Sequence, residues 1–417
     1  MTFVTSTLVA RGVGPSGSGT YALAVLLCTL AATIVSLGIN SANIYFIAQK
    51  THPQGTVIGS SLMYSTLVGT AAAFILLMNA PFLSRKLMNG APVNYLYMSL
   101  PMIPVLLVSE NIFYLFMAHR DMMKVGLIQL VRPVMYLGIL ATFSFAFHLT
   151  LSIILWGFAA GLLASMSAGI FLLWRNEFCK GLSVDRAFLK LALRFGVKQH
   201  LGSVSQLLNY RLDNLIIAAF LTNTQVGLYS LAVMMGETIW YIPNALGQIL
   251  FIKTAASDSE SANRVTPLVC RNTVLVSTLA AAILFFVAMP IVPWIFTAKF
   301  TPSVMALRLL LPGIVALSVS KVLGSDLTGR GYPQYSTYAS LISVIVNVGA
   351  NFLLIPRFGV NGAATAASFS YAANAAIILL LFRRTTGIQI SDVIFFKKED
   401  LQLYIRILSW KSTKGIS

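Results

Sequence analysis

The chain has 417 residues, 57% of them hydrophobic and only 10% charged, with a net charge of +17. Soluble domains run at about 45–50% apolar and about 25% charged residues, so too few charges are present to coat the two or three soluble domains this length would otherwise make. With a mean hydropathy of +0.81, the composition excludes a soluble enzyme and indicates a polytopic membrane protein.

A helix crosses the hydrocarbon with about 20 apolar residues. Apolar segments occupy residues 1–11, 20–48, 57–79, 95–118, 123–147, 151–174, 196–221, 226–252, 267–296, 303–327, 334–355 and 360–382. The first is half-length, so the reading is an all-α membrane protein of about twelve transmembrane helices. Turn chemistry separates several of them, at Gly14-Pro15-Ser16-Gly17-Ser18-Gly19, His52-Pro53-Gln54-Gly55 and Arg330-Gly331-Tyr332-Pro333. Pro104, Pro133, Pro243, Pro290 and Pro312 fall inside helical segments, which membrane helices tolerate where neighbours re-satisfy the backbone.

With the N-terminus in the cytoplasm and one crossing per segment, the inside loops and tail collect Lys50, Arg120, Lys124, Arg175, Lys180, Arg186, Lys190, Arg194, Lys253, Arg264, Arg271, Arg330, Arg383 and Arg384, and the basic C-terminal residues. The outside loops collect Arg11, Arg85, Lys86, Lys299 and Arg357. This bias follows the positive-inside rule and puts both termini in the cytoplasm. It also accounts for the net charge through anionic membrane lipid, without a nucleic-acid partner.

Gly19-Thr20-Tyr21-Ala22-Leu23-Ala24-Val25 matches Gly227-Leu228-Tyr229-Ser230-Leu231-Ala232-Val233 in register, and Pro101 matches Pro312 in a slightly shifted one. The repeat predicts two pseudo-symmetric six-helix lobes, 1–180 and 181–384, followed by a basic tail, 385–417. The same register sets Met1 opposite Asn209, in the middle of a helix. The expectation is that about 15–20 further apolar residues precede it and complete the first helix.

The Gly14–Thr20 run has the glycines of a phosphate-binding loop but no Lys after Gly19, and it joins two apolar segments rather than a strand and a helix. Nucleotide binding is rejected. The three cysteines and four histidines are scattered, so neither a metal site nor a cofactor is expected. In the eighth segment Ser230, Glu237, Tyr241, Asn244 and Gln248 recur at helical spacing as one polar stripe. Their repeat equivalents in the second are Ala22, Thr29, Thr33, Ser36 and Asn40, and Asn43 extends that stripe. Two matching stripes predict two walls of a wet cavity, against the simpler reading of polar glue between helices. Glu237 favours the cavity, since a charge inside a bilayer is expensive. It is expected to exchange a proton during transport; the alternative is a permanent ion pair, for which Arg211 is a candidate partner. In the seventh segment Lys198, Gln206, Asn209 and Asp213 share the polar arc, while Arg211 and His200 sit on the apolar side. Lys198 either faces the cavity or snorkels to the surface. Arg132, Glu110 and Lys321 are intramembrane charges of unassigned role, read as structural; Glu110 and Lys321 correspond under the proline register.

The chain resembles the oligosaccharide flippases, the polysaccharide-exporter branch of the multidrug/oligosaccharidyl-lipid/polysaccharide exporter superfamily. The resemblance is carried by Ala10-Arg11-Gly12-Val13-Gly14-Pro15-Ser16-Gly17, Tyr210-Arg211-Leu212-Asp213, Val226-Gly227-Leu228-Tyr229-Ser230-Leu231-Ala232 and Phe358-Gly359-Val360-Asn361-Gly362-Ala363-Ala364. It implies alternating access in a bacterial cell membrane. A polyprenyl-pyrophosphate-linked oligosaccharide would move from the inner to the outer leaflet, with a proton or sodium ion as the coupling partner. A drug/cation antiporter of the same superfamily is the rival. A membrane glycosyltransferase would need an extramembrane catalytic loop, and the longest loop here is basic.

The topology places Cys179 in the central cytoplasmic loop. A membrane-impermeant thiol reagent should leave it unlabelled in intact cells and label it once they are opened; labelling from outside overturns the orientation.

Overall fold

The structure, a computed structural model, describes residues 2–146, 148–256, 258–397 and 400, with no strand among them. Packing divides the chain into two compact units: Met1–Leu231 with Ile291–Ser303, and Ala232–Pro290 with Val304–Ser417. Among the described residues, eight helices are long and apolar enough to cross a membrane.

The first unit holds α1 (Thr2–Ser36), α2 (Ile39–Gln49), α3 (Gln54–Met78), the connectors α4 (Ala80–Leu87) and α5 (Asn94–Ser99), then α6 (Met102–Ala118), α7 (Met122–Ala146), α8 (Leu151–Arg175) and α9 (Arg186–Phe220). It also takes the start of α10 (Asn223–Glu237). Its core joins Ile58 on α3, Val108, Ile112, Leu115 and Phe116 on α6, Ile128 on α7 and Leu172 on α8. A second cluster packs Phe46 and Ala42 of α2 on Phe188 and Ala192 of α9. The Thr150 hydroxyl accepts the Ile153 N–H to start α8, and the Asp185 carboxylate accepts the Ala187 N–H to start α9, as N-cap residues do.

The expected glycine-rich loop at Gly14–Gly19 is absent. Only Gly14 leaves the helix, at φ 64°, and α1 resumes at Pro15, where a proline's fixed φ and missing N–H suit a helix start. The remaining glycines serve packing. A Cβ on Gly19 would lie 1.8 Å from the Asn223 carbonyl oxygen, and one on Gly227 would lie 1.9 Å from that of Pro15. The two repeat-equivalent glycines thus bring α1 and α10 into backbone contact, and Asn223 reinforces it by donating to the Thr20 hydroxyl and the Met88 carbonyl. Gly38 and Gly196 make the same kind of contact, each 2.3–2.5 Å from the other's carbonyl oxygen if given a Cβ.

The second unit holds the end of α10, a 3₁₀ turn (Thr238–Trp240), α11 (Tyr241–Ala256), α12 (Ser259–Ile295) as far as Pro290, α13 (Ser303–Gly329), α14 (Gln334–Thr386) and α15 (Ile390–Ile394). α14 is two helices joined at Gly359, φ 57°, matching the last two sequence segments. Pro104 and Pro243, expected inside helices, instead occupy the first turns of α6 and α11, where a missing N–H costs nothing. The eighth segment is broken by the 3₁₀ turn, so it is not one continuous span.

After α14 the chain turns back at Gly387 and packs Val393 into a core with Leu250, Cys270, Val319, Leu323 and Phe382. Arg271 donates to the Asp400 carboxylate, with both side chains almost fully buried, and to the Asp392 carbonyl. Burial alone would raise the Asp400 carboxyl, but hydrogen bonds from Arg271 and the Lys397 N–H outweigh it and hold its pKa below the usual value.

Gly227→Leu should therefore destabilise the protein by about 3 kcal/mol or more through overpacking, read as lost monodisperse yield and a lower unfolding temperature in detergent. Gly126→Ala, where a Cβ meets nothing within 4 Å, should change neither.

Candidate functional site

In the second unit Glu237 ends α10, and the 3₁₀ turn follows at once. Trp240 closes the turn: its indole N–H donates to the Ile314 carbonyl at 3.1 Å and its ring meets Tyr371 edge-on at 5.6 Å. The Lys321 ammonium, from α13, lies 4.5 Å from the Trp240 ring centre and within electrostatic range of Glu237. Beside it the Ser320 hydroxyl donates to the Asn374 amide oxygen. Beyond the turn Tyr241, Asn244 and Gln248 are exposed on α11. The arrangement is a half-buried cation and a half-buried carboxylate on an aromatic platform, at a point where the helix is interrupted.

In the first unit the polar arc of α9 splits. Gln206 is exposed and donates weakly toward the Tyr210 hydroxyl at 3.4 Å. Asn209 and Asp213 are buried, and the Tyr229 hydroxyl donates to the Asp213 carboxylate. One position along each helix, the Ser230 hydroxyl donates to Asn214. Asp213 thus ties α9 to α10. Arg211 is half-buried, and the Lys198 side chain lies outside the described residues.

On α1, Thr29 and Ser36 turn their hydroxyls back to the carbonyls of Val25 and Thr33. Asn40 keeps a buried amide oxygen without a hydrogen bond. Asn43 donates to Asn111, which bonds in turn to Ser61 and Ser65, a fully buried neutral network. Glu110 and Arg132 meet electrostatically inside this unit, and Lys321 meets Glu237 inside the other.

Sequence reasoning missed Asp326, which accepts hydrogen bonds from Thr254, Thr266 and Arg330 while fully buried. The signal was its i,i+4 spacing to Arg330. It also missed Trp240 and Asn111, which look like ordinary apolar-segment residues in one dimension.

Residues 8–305 match the family described as "Polysaccharide biosynthesis protein". A stretch of 167 residues, 39% of this chain, is 28% identical to the "Probable low-salt glycan biosynthesis flippase Agl15" of Haloferax volcanii, covering 35% of that protein. An uncharacterized membrane protein of Methanocaldococcus jannaschii is 24% identical over 42% of this chain and 41% of its own length. The aligned stretch therefore spans well under half of the curated relatives it matches. Among solved structures, the lipid II flippase MurJ in an inward closed conformation superposes with a TM-score of 0.79 at 12% identity, over 93% of this chain and 86% of that one. An inward-facing multidrug resistance MATE transporter of the MOP superfamily gives 0.78 at 15% identity, over 92% and 94%. At such identities the likeness shows the fold: the chain is a MATE/MurJ-like helical membrane protein.

Tyr229→Phe removes a donor from a buried carboxylate, which should cost about 1.5–3 kcal/mol. Thermal unfolding in detergent should register the loss, whereas Tyr241→Phe, at an exposed site, should be silent. Equal behaviour of the two variants overturns the structural role of the Tyr229–Asp213 bond.

Proposed function

The chain belongs to this polysaccharide biosynthesis family, and from that premise we propose that it flips a polyprenyl-pyrophosphate-linked oligosaccharide from the inner to the outer leaflet by alternating access. A sugar head group cannot cross hydrocarbon unaided, because its hydroxyls would lose water without replacement. The protein's task in this reading is to supply a polar path while the lipid tail stays in the bilayer. The setting is a bacterial cell membrane with both termini cytoplasmic, and the two six-helix repeats, 1–180 and 181–384, act as the alternating lobes.

The observation that carries the reading is the Lys321–Glu237 pair at the break after α10. An ammonium held by a ring face and a nearby carboxylate is available to a stronger anion. An arriving pyrophosphate competes with Glu237 for Lys321 and displaces the carboxylate, which then takes up a proton. Release outside reverses the exchange. Proton binding at Glu237 is thereby linked to substrate by population shift. Sodium is the alternative coupling ion. An inside-negative potential assists export of the pyrophosphate by roughly 2.3 kcal/mol per charge per 100 mV. Tyr241, Asn244 and Gln248, exposed beyond the turn, are the neutral groups suited to glycan hydroxyls.

The MATE-like fold also supports a second reading, a drug/cation antiporter. Lys321 argues against it, since a cationic drug would be repelled where Glu237 would attract it.

Reconstituted proteoliposomes with a fluorescent lipid-linked oligosaccharide in the inner leaflet test the proposal. Lys321→Gln should reduce flipping by about tenfold or more, the effect of losing one charge-assisted contact. Glu237→Gln mimics the protonated carboxyl and should retain substrate binding while making flipping insensitive to a proton gradient. Normal, gradient-responsive flipping in Glu237→Gln ends the coupling idea. Transport of cationic dyes but not of the glycolipid favours the antiporter.

A further inference from the structure

Arg132 is a half-buried guanidinium in the middle of α7. Its five N–H donors form no hydrogen bond or ion pair among the described residues; its close contact is a cation–π one, 4.6 Å from the centre of the Phe158 ring. Glu110, on α6, lies within electrostatic range without reaching it. Around them stand more donors. Tyr136, one turn along α7, is 8% exposed, and its hydroxyl is buried without a partner. The Tyr21 hydroxyl, on α1, lies near that of Tyr136 without reaching hydrogen-bond geometry. Ser18, on the same face of α1 as Tyr21, also keeps a buried, unpartnered hydroxyl.

The group is held in place. α7 and α8 approach so closely that a Cβ on Gly161 would lie 2.9 Å from the Arg132 carbonyl oxygen. The Tyr21 and Tyr136 rings both meet Phe158 edge-on, at 6.1 and 6.0 Å.

Buried donors without acceptors carry their full desolvation cost, and more so inside a bilayer. The Arg132 guanidinium, without a hydrogen bond or ion pair among the described residues, acts electrostatically on Tyr136, whose buried hydroxyl also lacks a partner, and this pairing suits an anionic acceptor. We propose that Arg132, Tyr136 and Tyr21 form a binding site for a small inorganic anion such as a halide. Glu110 sits on its edge as a restraint: its charge opposes the anion and keeps affinity low, so that the site exchanges rather than locks. The site belongs wholly to the first unit and does not depend on what the protein transports.

Chlorine NMR line broadening on the purified full chain in detergent, titrated with bromide as competitor, tests this. The wild type should show saturable broadening. Arg132→Gln should abolish it; Tyr136→Phe, nearly isosteric and safe for folding, should weaken affinity by about threefold, the effect of one neutral hydrogen bond. Glu110→Gln should tighten binding, and Lys321→Gln should leave it unchanged even if flipping is lost, so the two proposals fail separately. Absence of saturable broadening in the wild type overturns the site and leaves water as the acceptor. So does broadening that persists unaltered in Arg132→Gln and Tyr136→Phe, or a Glu110→Gln variant that binds no tighter.

Discussion

The hydrocarbon interior offers no hydrogen-bonding partner, so each polar atom within it must be satisfied by the protein or by something the protein admits. Much of this structure follows from that constraint. Lone hydroxyls on α1, α9 and α13 bend back to carbonyls one turn earlier, as Thr29, Ser205 and Ser325 do. Amides gather into buried networks such as Asn43–Asn111–Ser61–Ser65. Two buried or half-buried charges are matched within their own unit: Asp326 by Arg330 and two threonines, Lys321 by Glu237 and a ring face.

The motifs that carry the family resemblance turn out to describe packing. Gly227 allows α10 to touch α1, Tyr229 in the same motif reaches Asp213 of the Tyr210–Asp213 motif, and Ser230 reaches Asn214. Gly14 and Gly359 supply positive φ where two helices meet end to end. Gly362 lets the chain return past Leu354, whose carbonyl oxygen a Cβ would approach to 2.3 Å. Arg11, in the first motif, donates to the carbonyls of Trp294 and Ile295 at the end of α12. These residues hold the fold, and one fold can host many functions.

Hydrophobic length marked the spans well, because crossing hydrocarbon sets a minimum run that few other constraints mimic. Local irregularities were harder. Gly14-Pro15-Ser16-Gly17-Ser18-Gly19 has the composition of a loop, yet in α1 the small residues are selected by a neighbouring backbone rather than by flexibility. The break after Glu237 has no glycine or proline at its centre; Thr238, Ile239 and Trp240 are held there by the indole bond to Ile314, a contact 74 residues away. Periodicity grouped Asp213 with the polar arc but could not tell a wet wall from a buried tie, since Tyr229 supplies the difference. Likewise, Glu110 and Arg132 are 22 positions apart, and nothing along the chain announces that α6 and α7 bring their fields together.

The segment after α14 bears on how the protein is handled. Arg271 is buried in the second unit and its acceptor, Asp400, arrives only after the last long helix has ended, together with Val393 filling the core beside Cys270 and Phe382. A fluorescent reporter or affinity tag fused at Gly387 would leave a guanidinium sealed in without its carboxylate and an apolar pocket open, so the fusion itself would degrade the sample it was meant to follow. Joined beyond residue 400, the same tag keeps that seal closed.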